Sequence, residues 1–280
     1  MELPSSEADQ QATIDYLMSP AAYGHAGPVE RIDTHAAIIF LVGKRAYKLK
    51  RAVRYPYLDF STREQRRQVC EAELVLNRRT APDLYLEVRS VGRAADGALR
   101  LGEGEPVDWL IVMRRFAADN LLEAIAHSGG LSDALVRELA DEIARFHDRA
   151  DIAAVDGGGR VREVIAGNSR SLEVSAVLPV DDCLALTEAS LTKWASLSTL
   201  LDQRAADGHV RHCHGDLHLA NICLWQGRPT LFDCLEFDRN LATTDVLYDL
   251  AFLLMDLWER GFRQQASLLF NRYLDMREEA

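Results

Sequence analysis

The spacing of apolar residues changes once along this chain, and that change restricts the fold more than any single motif does. Between Val29 and Arg51 (VERIDTHAAIIFLVGKRAYKLKR) lie two β-rich runs, AAIIFLVG and RAYKLK, with Gly43-Lys44 between them as a hairpin turn. LYLEVRSVG and VDWLIVMRRF continue the strand texture on either side of a turn around Asp96-Gly97. From Leu131 the period becomes helical: LSDALVRELADEIARFHDRA sets Leu135, Leu139, Ile143 and Phe146 on one stripe with charges opposite. One short strand pair, NICLW and TLFDCL about a Gln-Gly turn, interrupts the helical part. A strand-rich first third followed by a helix-rich remainder predicts the α+β class, with two lobes and a cleft near residues 115–120.

Shorter signals fill in the rest. Residues 8–20 read as a helix stopped by Pro20. In DFSTREQRRQVCEAELVLNRR, Val69, Ala72, Leu76 and Thr80 recur at helical spacing, and Ser61 with Glu64 forms a capping-box pattern. DIAAVDGGGR reads as a loop, and residues 161–206 as mixed but mostly helical. Val246–Trp258 is apolar on nearly every face, the mark of a buried helix, and residues 262–277 form a last amphipathic helix. No internal repeat or low-complexity tract occurs.

Charge and composition exclude several classes of function. A formal net charge of −11 argues against a nucleic-acid partner, because phosphate contacts need a basic face. It agrees better with a cationic or neutral substrate. The N-terminus, MELPSSEADQ, is polar and acidic, unlike a secretory signal. The longest apolar run, VLYDLAFLLMDLW, is too short for a bilayer and carries Asp249 and Asp256, so no membrane partner is expected. Five cysteines without regular spacing predict reduced thiols and a cytoplasmic location.

The densest cluster of chemistry is Arg211–Trp225, RHCHGDLHLANICLW. His212, His214, His218, Cys213 and Cys223 invite a zinc reading, but structural zinc takes CxxC or HxxxH pairs, and adjacent residues rarely aim at one ion. The oxygen-bearing residues read better. Asp216 precedes Asn221 by five residues, and Asp233 follows on the next strand. Phosphoryl transfer needs a carboxylate beside the acceptor hydroxyl, plus an amide oxygen and a carboxylate for Mg²⁺, a hard ion that prefers oxygen.

HGDLHLAN (His214–Asn221) followed by LFDCLEF (Leu231–Phe237) resembles the aminoglycoside phosphotransferase family, relatives of the protein kinases. The resemblance implies a protein-kinase-like bilobal fold: a helical extension over residues 1–28, a nucleotide-binding N-lobe over 29–115 and a helical C-lobe over 116–280. It implies ATP and Mg²⁺ as cofactors. Asp216 takes the place of the base or acceptor-orienting group, and Asn221 and Asp233 those of the metal ligands. His214 holds the loop; His218 belongs to the motif, with a catalytic and a structural role equally open. Asp249 is expected to accept backbone N–H groups under the loop. Glu236 and Asp238 would line the cleft or form acidic surface.

The same resemblance demands a lysine and a glutamate upstream. RAYK supplies Lys48, with Lys50 on the same strand face as the alternative. Glu73, beside the apolar stripe of its helix, is the expected partner, and Glu71 the second choice. VMRRF would be the hinge offering backbone groups to adenine around Met113 and Arg115. No G-x-G-x-x-G precedes the lysine; DTHAA stands there instead, leaving Thr34 and backbone N–H groups to meet phosphate.

Parts of the chain also resemble a branch in which such a domain often precedes a P-loop ATPase domain, although no GxxxxGK[ST] occurs here. The functions weighed are an ATP-dependent kinase of a hydroxylated, cationic small molecule (aminoglycoside, amino sugar or amino alcohol), a nucleotide-binding regulatory module acting on a protein, and a zinc protein. Acceptor specificity is expected within residues 151–206.

Overall fold

The computed structural model describes residues 7–174 and 177–279. The first six residues of the expected N-terminal extension, and residues 175 and 176 of the mixed segment, lie outside these. In chain order the elements begin with α1 (Glu7–Leu17), β1 (Glu30–Asp33), β2 (Ala37–Val42), β3 (Arg45–Lys50), β4 (Arg54–Tyr55), β5 (Leu58–Asp59) and α2 (Arg63–Asn77). Next come β6 (Tyr85–Arg93), β7 (Leu99–Leu101), β8 (Glu105–Arg114), α3 (Leu122–His127), α4 (Asp133–Arg149), α5 (Gly157–Glu173) and α6 (Val180–Ala206). The chain finishes with β9 (Val210–His212), β10 (Ile222–Trp225), β11 (Arg228–Leu231), α7 (Arg239–Ala242), β12 (Thr243–Asp245), α8 (Val246–Glu259) and α9 (Arg263–Met276). The mixed α/β content and its order are those of a protein-kinase-like fold. By internal contacts the chain divides into two compact units, Met1–Leu135 with His218–Asp238, and Val136–Leu217 with Arg239–Ala280.

The first unit is built on a six-stranded antiparallel sheet in the order β1-β2-β3-β8-β6-β7. Period-two alternation decides its faces. Ile38, Phe40, Val42, Tyr47, Leu49, Leu110 and Val112 share one core cluster with Ile14 and Leu17 of α1. Ala46, Ile111 and Met113 point the other way, into a cluster with Cys70 of α2 and Cys223 of β10. Phe40, Leu49 and Leu110 are fully buried, each contributing about 2 kcal/mol by removal from water.

Helix α2 starts one residue later than its sequence suggests. Thr62, not Ser61, is the N-cap, and it forms a capping box with Gln65. Ser61 instead donates its hydroxyl to Asp59. The buried stripe is also shifted, to Arg66, Cys70, Glu73 and Asn77 rather than Val69, Ala72 and Leu76. Its polar members go inside because partners wait there: Arg66 pairs with Asp108 at 2.9 Å, and Asn77 bonds two backbone groups.

The second unit is mainly helical. DGGGR, expected as loop, forms the start of α5: Asp156 caps it by accepting from the Gly159 N–H. Glycine is required by proximity, since a Cβ at Gly157 would lie 2.2 Å from the Leu201 carbonyl oxygen of α6. Val210–His212 forms β9, which pairs antiparallel with β12. Helix α8 buries one stripe (Val246, Asp249, Leu250, Leu253, Leu257) but leaves Met255 and Trp258 exposed, so it is not apolar-buried all round. No described helix is long and apolar enough to cross a membrane. The five cysteines are free and buried.

Candidate active site

Alternation along β3 puts Lys48 and Lys50 on the face that looks toward α2, where Glu73 is the fully buried member of the helix stripe. Lys48 Nζ lies 2.8 Å from Glu73 Oε1 and 2.5 Å from Asp233 Oδ1. Lys50 pairs with the other oxygen of Glu73, and with Glu236 at 2.5 Å. Burial works against the charge on Lys48, but the carboxylates of Asp233 and Glu73 outweigh it and hold the ammonium well above the ordinary lysine range. Lys50 is raised too, by Glu236 and Glu73 against its burial. Glu236 moves upward because burial disfavours its charged form more than Lys50 favours it.

Asn221 and Asp233 are brought together by the β10–β11 hairpin. Its two-residue turn has φ of 53° at Gln226 and 80° at Gly227, the geometry of a type I′ turn, and Ile222 faces Leu231 at its open end. The Phe232 N–H donates to the Asn221 carbonyl at 3.0 Å, so Asn221 and Asp233 leave the same end of the hairpin. β11 stops at Leu231, short of the expected strand over TLFDCL, because Asp233 adopts a left-handed backbone with φ of 62°. That conformation costs a non-glycine residue about 1 kcal/mol and marks positions held by their surroundings. Here the Asp233 N–H donates to Tyr85 Oη and the Cys234 N–H to Asn77 Oδ1. Asn221 is buried, with Nδ2 3.2 Å from His218 Nε2. An amide oxygen and a carboxylate at one hairpin end are hard donors of the type Mg²⁺ takes, so the residues fit that ion.

The remaining motif residues, His214 and Asp216, belong to the second unit. Gly215 between them has φ of 82°, a backbone that side chains rarely allow. Asp249, in the first turn of α8, accepts from the Gly215 N–H at 2.8 Å and the His214 N–H at 3.2 Å, as the sequence leads one to expect. His147 of α4 backs Asp249 at 3.1 Å and is itself bonded to Tyr273 Oη at 2.8 Å. Burial would raise the Asp249 carboxyl, but the His147 bond and charge, with the Gly215 N–H, pull it below the ordinary aspartate value. His214 is fully buried and Asp216 half-buried.

Three further expected nucleotide contacts lie in the first unit. Thr34 sits on the β1–β2 turn, where its hydroxyl accepts from the Ala37 N–H and donates to the Ala37 carbonyl. Met113 is buried in β8, opposite Ala46 and Tyr85. The Arg115 N–H is committed to the Lys44 carbonyl at 3.0 Å, and its guanidinium to Glu30. Of the residues that invited a zinc reading, His212 lies on β9, Cys213 donates toward the Thr244 carbonyl, and Cys223 lies in the first unit's core.

The profile of the phosphotransferase enzyme family matches residues 86–280, more than half of the chain. The chain belongs to this family. Uncharacterised proteins of Mycobacterium tuberculosis (strain H37Rv) and Mycobacterium bovis are 33% identical to this chain over 231 residues, 80% of the chain and 45% of theirs. It thus spans about half the length of the curated relatives it matches. The aminoglycoside phosphotransferase APH(3'')-Id of Streptomyces rimosus, in complex with ADP and streptomycin, shares its fold with a TM-score of 0.56 at 19% identity, covering 97% of this chain and 92% of that one. A choline/ethanolamine kinase family protein of Mesorhizobium loti (TM-score 0.54, 18% identity, 96% and 76% covered) shares it as well. So does the choline kinase of Cryptosporidium parvum (TM-score 0.56, 10% identity, 96% and 79% covered).

Several residues around the candidate site carry no motif signal. Tyr85 and Asn77 hold the Asp233 turn, and His147 and Tyr273 stand behind Asp249; each reads in sequence as an ordinary strand or helix residue. Burial, with the nearby Asp233 charge, pushes the Tyr85 phenol well above its usual range, so it meets Asp233 as a neutral hydroxyl. In the second unit a cavity of about 650 Å³ is bounded by Ile165 of α5, Trp194, Leu197 and Leu201 of α6 and Tyr248 of α8, an apolar lining that includes no motif residue.

Proposed function

We propose that the chain is a kinase that transfers the γ-phosphate of ATP to a hydroxyl of a small cationic molecule of the aminoglycoside, amino sugar or amino alcohol kind. The observation that carries this reading is the buried Lys48–Glu73 pair in contact with Asp233, on a hairpin that also presents Asn221. A preformed ammonium beside a carboxylate and an amide oxygen is what triphosphate recognition asks of a protein. The named substrates of the structural relatives, streptomycin and choline or ethanolamine, are hydroxylated cations, which supports the acceptor class.

Lys48 exchanges Asp233 for the α- and β-phosphates, while Glu73 keeps the ammonium in place. Asn221 and Asp233 would hold Mg²⁺, which supplies charge neutralisation at the β- and γ-phosphates. His218 fixes the Asn221 amide through Nδ2, and His214 anchors the loop by its backbone bond to Asp249. Asp216 orients the acceptor hydroxyl and takes its proton as that oxygen bonds to the γ-phosphorus. The bond from phosphorus to the β,γ-bridging oxygen breaks, and ADP leaves. Residues 112–116 would meet adenine, with the Arg115 N–H excluded because Lys44 already accepts it. In this reading residues 29–115 form the N-lobe and 116–280 the acceptor-bearing lobe.

One observation favours a second reading, a nucleotide-binding regulatory module. Thr34, the sole hydroxyl of the DTHAA turn, is directed to Ala37 and thus away from phosphate. ADP release with MgATP against a panel of aminoglycosides, amino sugars and amino alcohols, with Asp216→Asn as the blank, decides between them. Acceptor-stimulated turnover lost in the variant supports the kinase. Silence across the panel with MgATP still bound supports the module.

A further inference from the structure

Two lysines answer to one glutamate in the first unit, and phosphate binding accounts for only one of them. Lys50 is 2% exposed, almost wholly withdrawn from solvent. Its ammonium sits between Glu73 and Glu236 (Oε1, 2.5 Å), 5.4 Å from the centroid of the Phe60 ring. Glu236, three residues beyond Asp233, has a side chain only 8% exposed. The cluster therefore holds two ammonium groups, Lys48 and Lys50, against three carboxylates, Glu73, Asp233 and Glu236.

A buried charge in such a cluster stays only where each partner is itself held. Lys48 touches both Glu73 and Asp233, so turning it toward phosphate means separating it from Asp233 alone. Glu73 must stay behind. Its second oxygen is engaged by Lys50, and Lys50 is tied in turn to Glu236, on the same segment as Asp233.

We propose that Lys50 and Glu236 are a positioning pair: they fix Glu73 and the 233–237 segment, so that Lys48 leaves Asp233 for phosphate without losing its Glu73 anchor. This rests on the nucleotide-binding reading of the site. Without Lys50, the Glu73 and Glu236 charges both fall to the Lys48 ammonium, which is drawn into the acidic cluster and away from phosphate. The defect is thus specific to the charged part of the nucleotide.

The test is a comparison of MgATP and adenosine affinities, by calorimetry and ligand-observed NMR, in the wild-type chain, Lys50→Met, Lys50→Arg and Lys50→Met/Glu236→Gln. Lys50→Met is expected to weaken MgATP about tenfold or more, with adenosine changed less than about twofold. Lys50→Arg should retain MgATP binding to within about threefold, and the double variant, which removes both charges of the pair, should regain part of the loss. Equal weakening of MgATP and adenosine would show a merely structural lysine and overturn the proposal, as would unchanged MgATP affinity in Lys50→Met. If Lys50→Met does not fold, Lys50→Arg and Glu236→Gln carry the same comparison. A wild-type chain that binds neither ligand removes the nucleotide reading itself, and this inference with it.

Discussion

Asp233 gathers more constraints than any other residue of the candidate site. Its backbone is left-handed, its N–H is held by Tyr85, and its carboxylate meets Lys48. In the proposed function this aspartate trades the ammonium for a metal ion. Asp233→Asn is therefore expected to abolish Mg²⁺-dependent nucleotide binding, measured by titrating ATP with and without the ion; an unchanged difference between the two titrations would remove Asp233 from the metal role. Asp216 makes the opposite demand. Asp216→Asn should leave MgATP affinity within error while lowering acceptor-dependent turnover by about a thousandfold, the scale of a lost general base. Wild-type turnover in that variant would sink its assignment.

Among the elements, α2 does most to assemble the Lys48–Asp233 cluster of the first unit. One stripe of this helix carries Arg66 to Asp108, Glu73 to both lysines, and Asn77 to the Cys234 N–H. Asn77 also donates to the Glu73 carbonyl, so one amide links the helix to the Asp233 turn. Asn77→Ala leaves a buried backbone N–H without its acceptor, at a cost of about 2 kcal/mol. Both the urea midpoint and the MgATP affinity should fall. Thr62→Ala at the far end of the helix removes the capping box and should cost about 1 kcal/mol, with MgATP affinity preserved. If the two variants lose nucleotide equally, α2 acts through stability alone.

For the molecule as a whole, acid sensitivity has an identifiable source in the second unit. Asp249 is fully buried yet lowered in pKa, because His147 and the Gly215 N–H favour its charged form over the opposing effect of burial. Folding thus favours the carboxylate. Its contribution is complete above the unfolded-state pKa of about 3.9 and drains as pH falls through the depressed native value. Urea midpoints between about pH 3 and pH 6 should fall more steeply in the wild type than in Asp249→Asn, which has no carboxylate to protonate. Parallel curves would place the acid-sensitive group elsewhere.

The residues of the proposed site stand out in the sequence by their types and spacing, His214, Asp216, His218 and Asn221 in one run and Asp233 just beyond the following strand, the pattern that the proposed phosphoryl transfer would require. Alternation along β3 likewise places Lys48 and Lys50 on one face, and the Gln226-Gly227 turn specifies the hairpin. What sequence could not supply is where polar residues find partners at long range. The apolar stripe of α2 suggested Val69, Ala72 and Leu76 with Glu73 beside it facing the lysine, but the helix also turns Arg66 and Asn77 inward, to Asp108 and to the Cys234 N–H 157 positions away along the chain. The glycines at 157–159 read as loop, but a helix passes there, and the Leu201 carbonyl requires glycine at Gly157. Local periodicity and motif spacing are properties of neighbours in sequence, and they determined the class of fold and the catalytic vocabulary. Satisfying buried charge is a property of neighbours in space, and only the tertiary structure decided that one glutamate would hold two lysines.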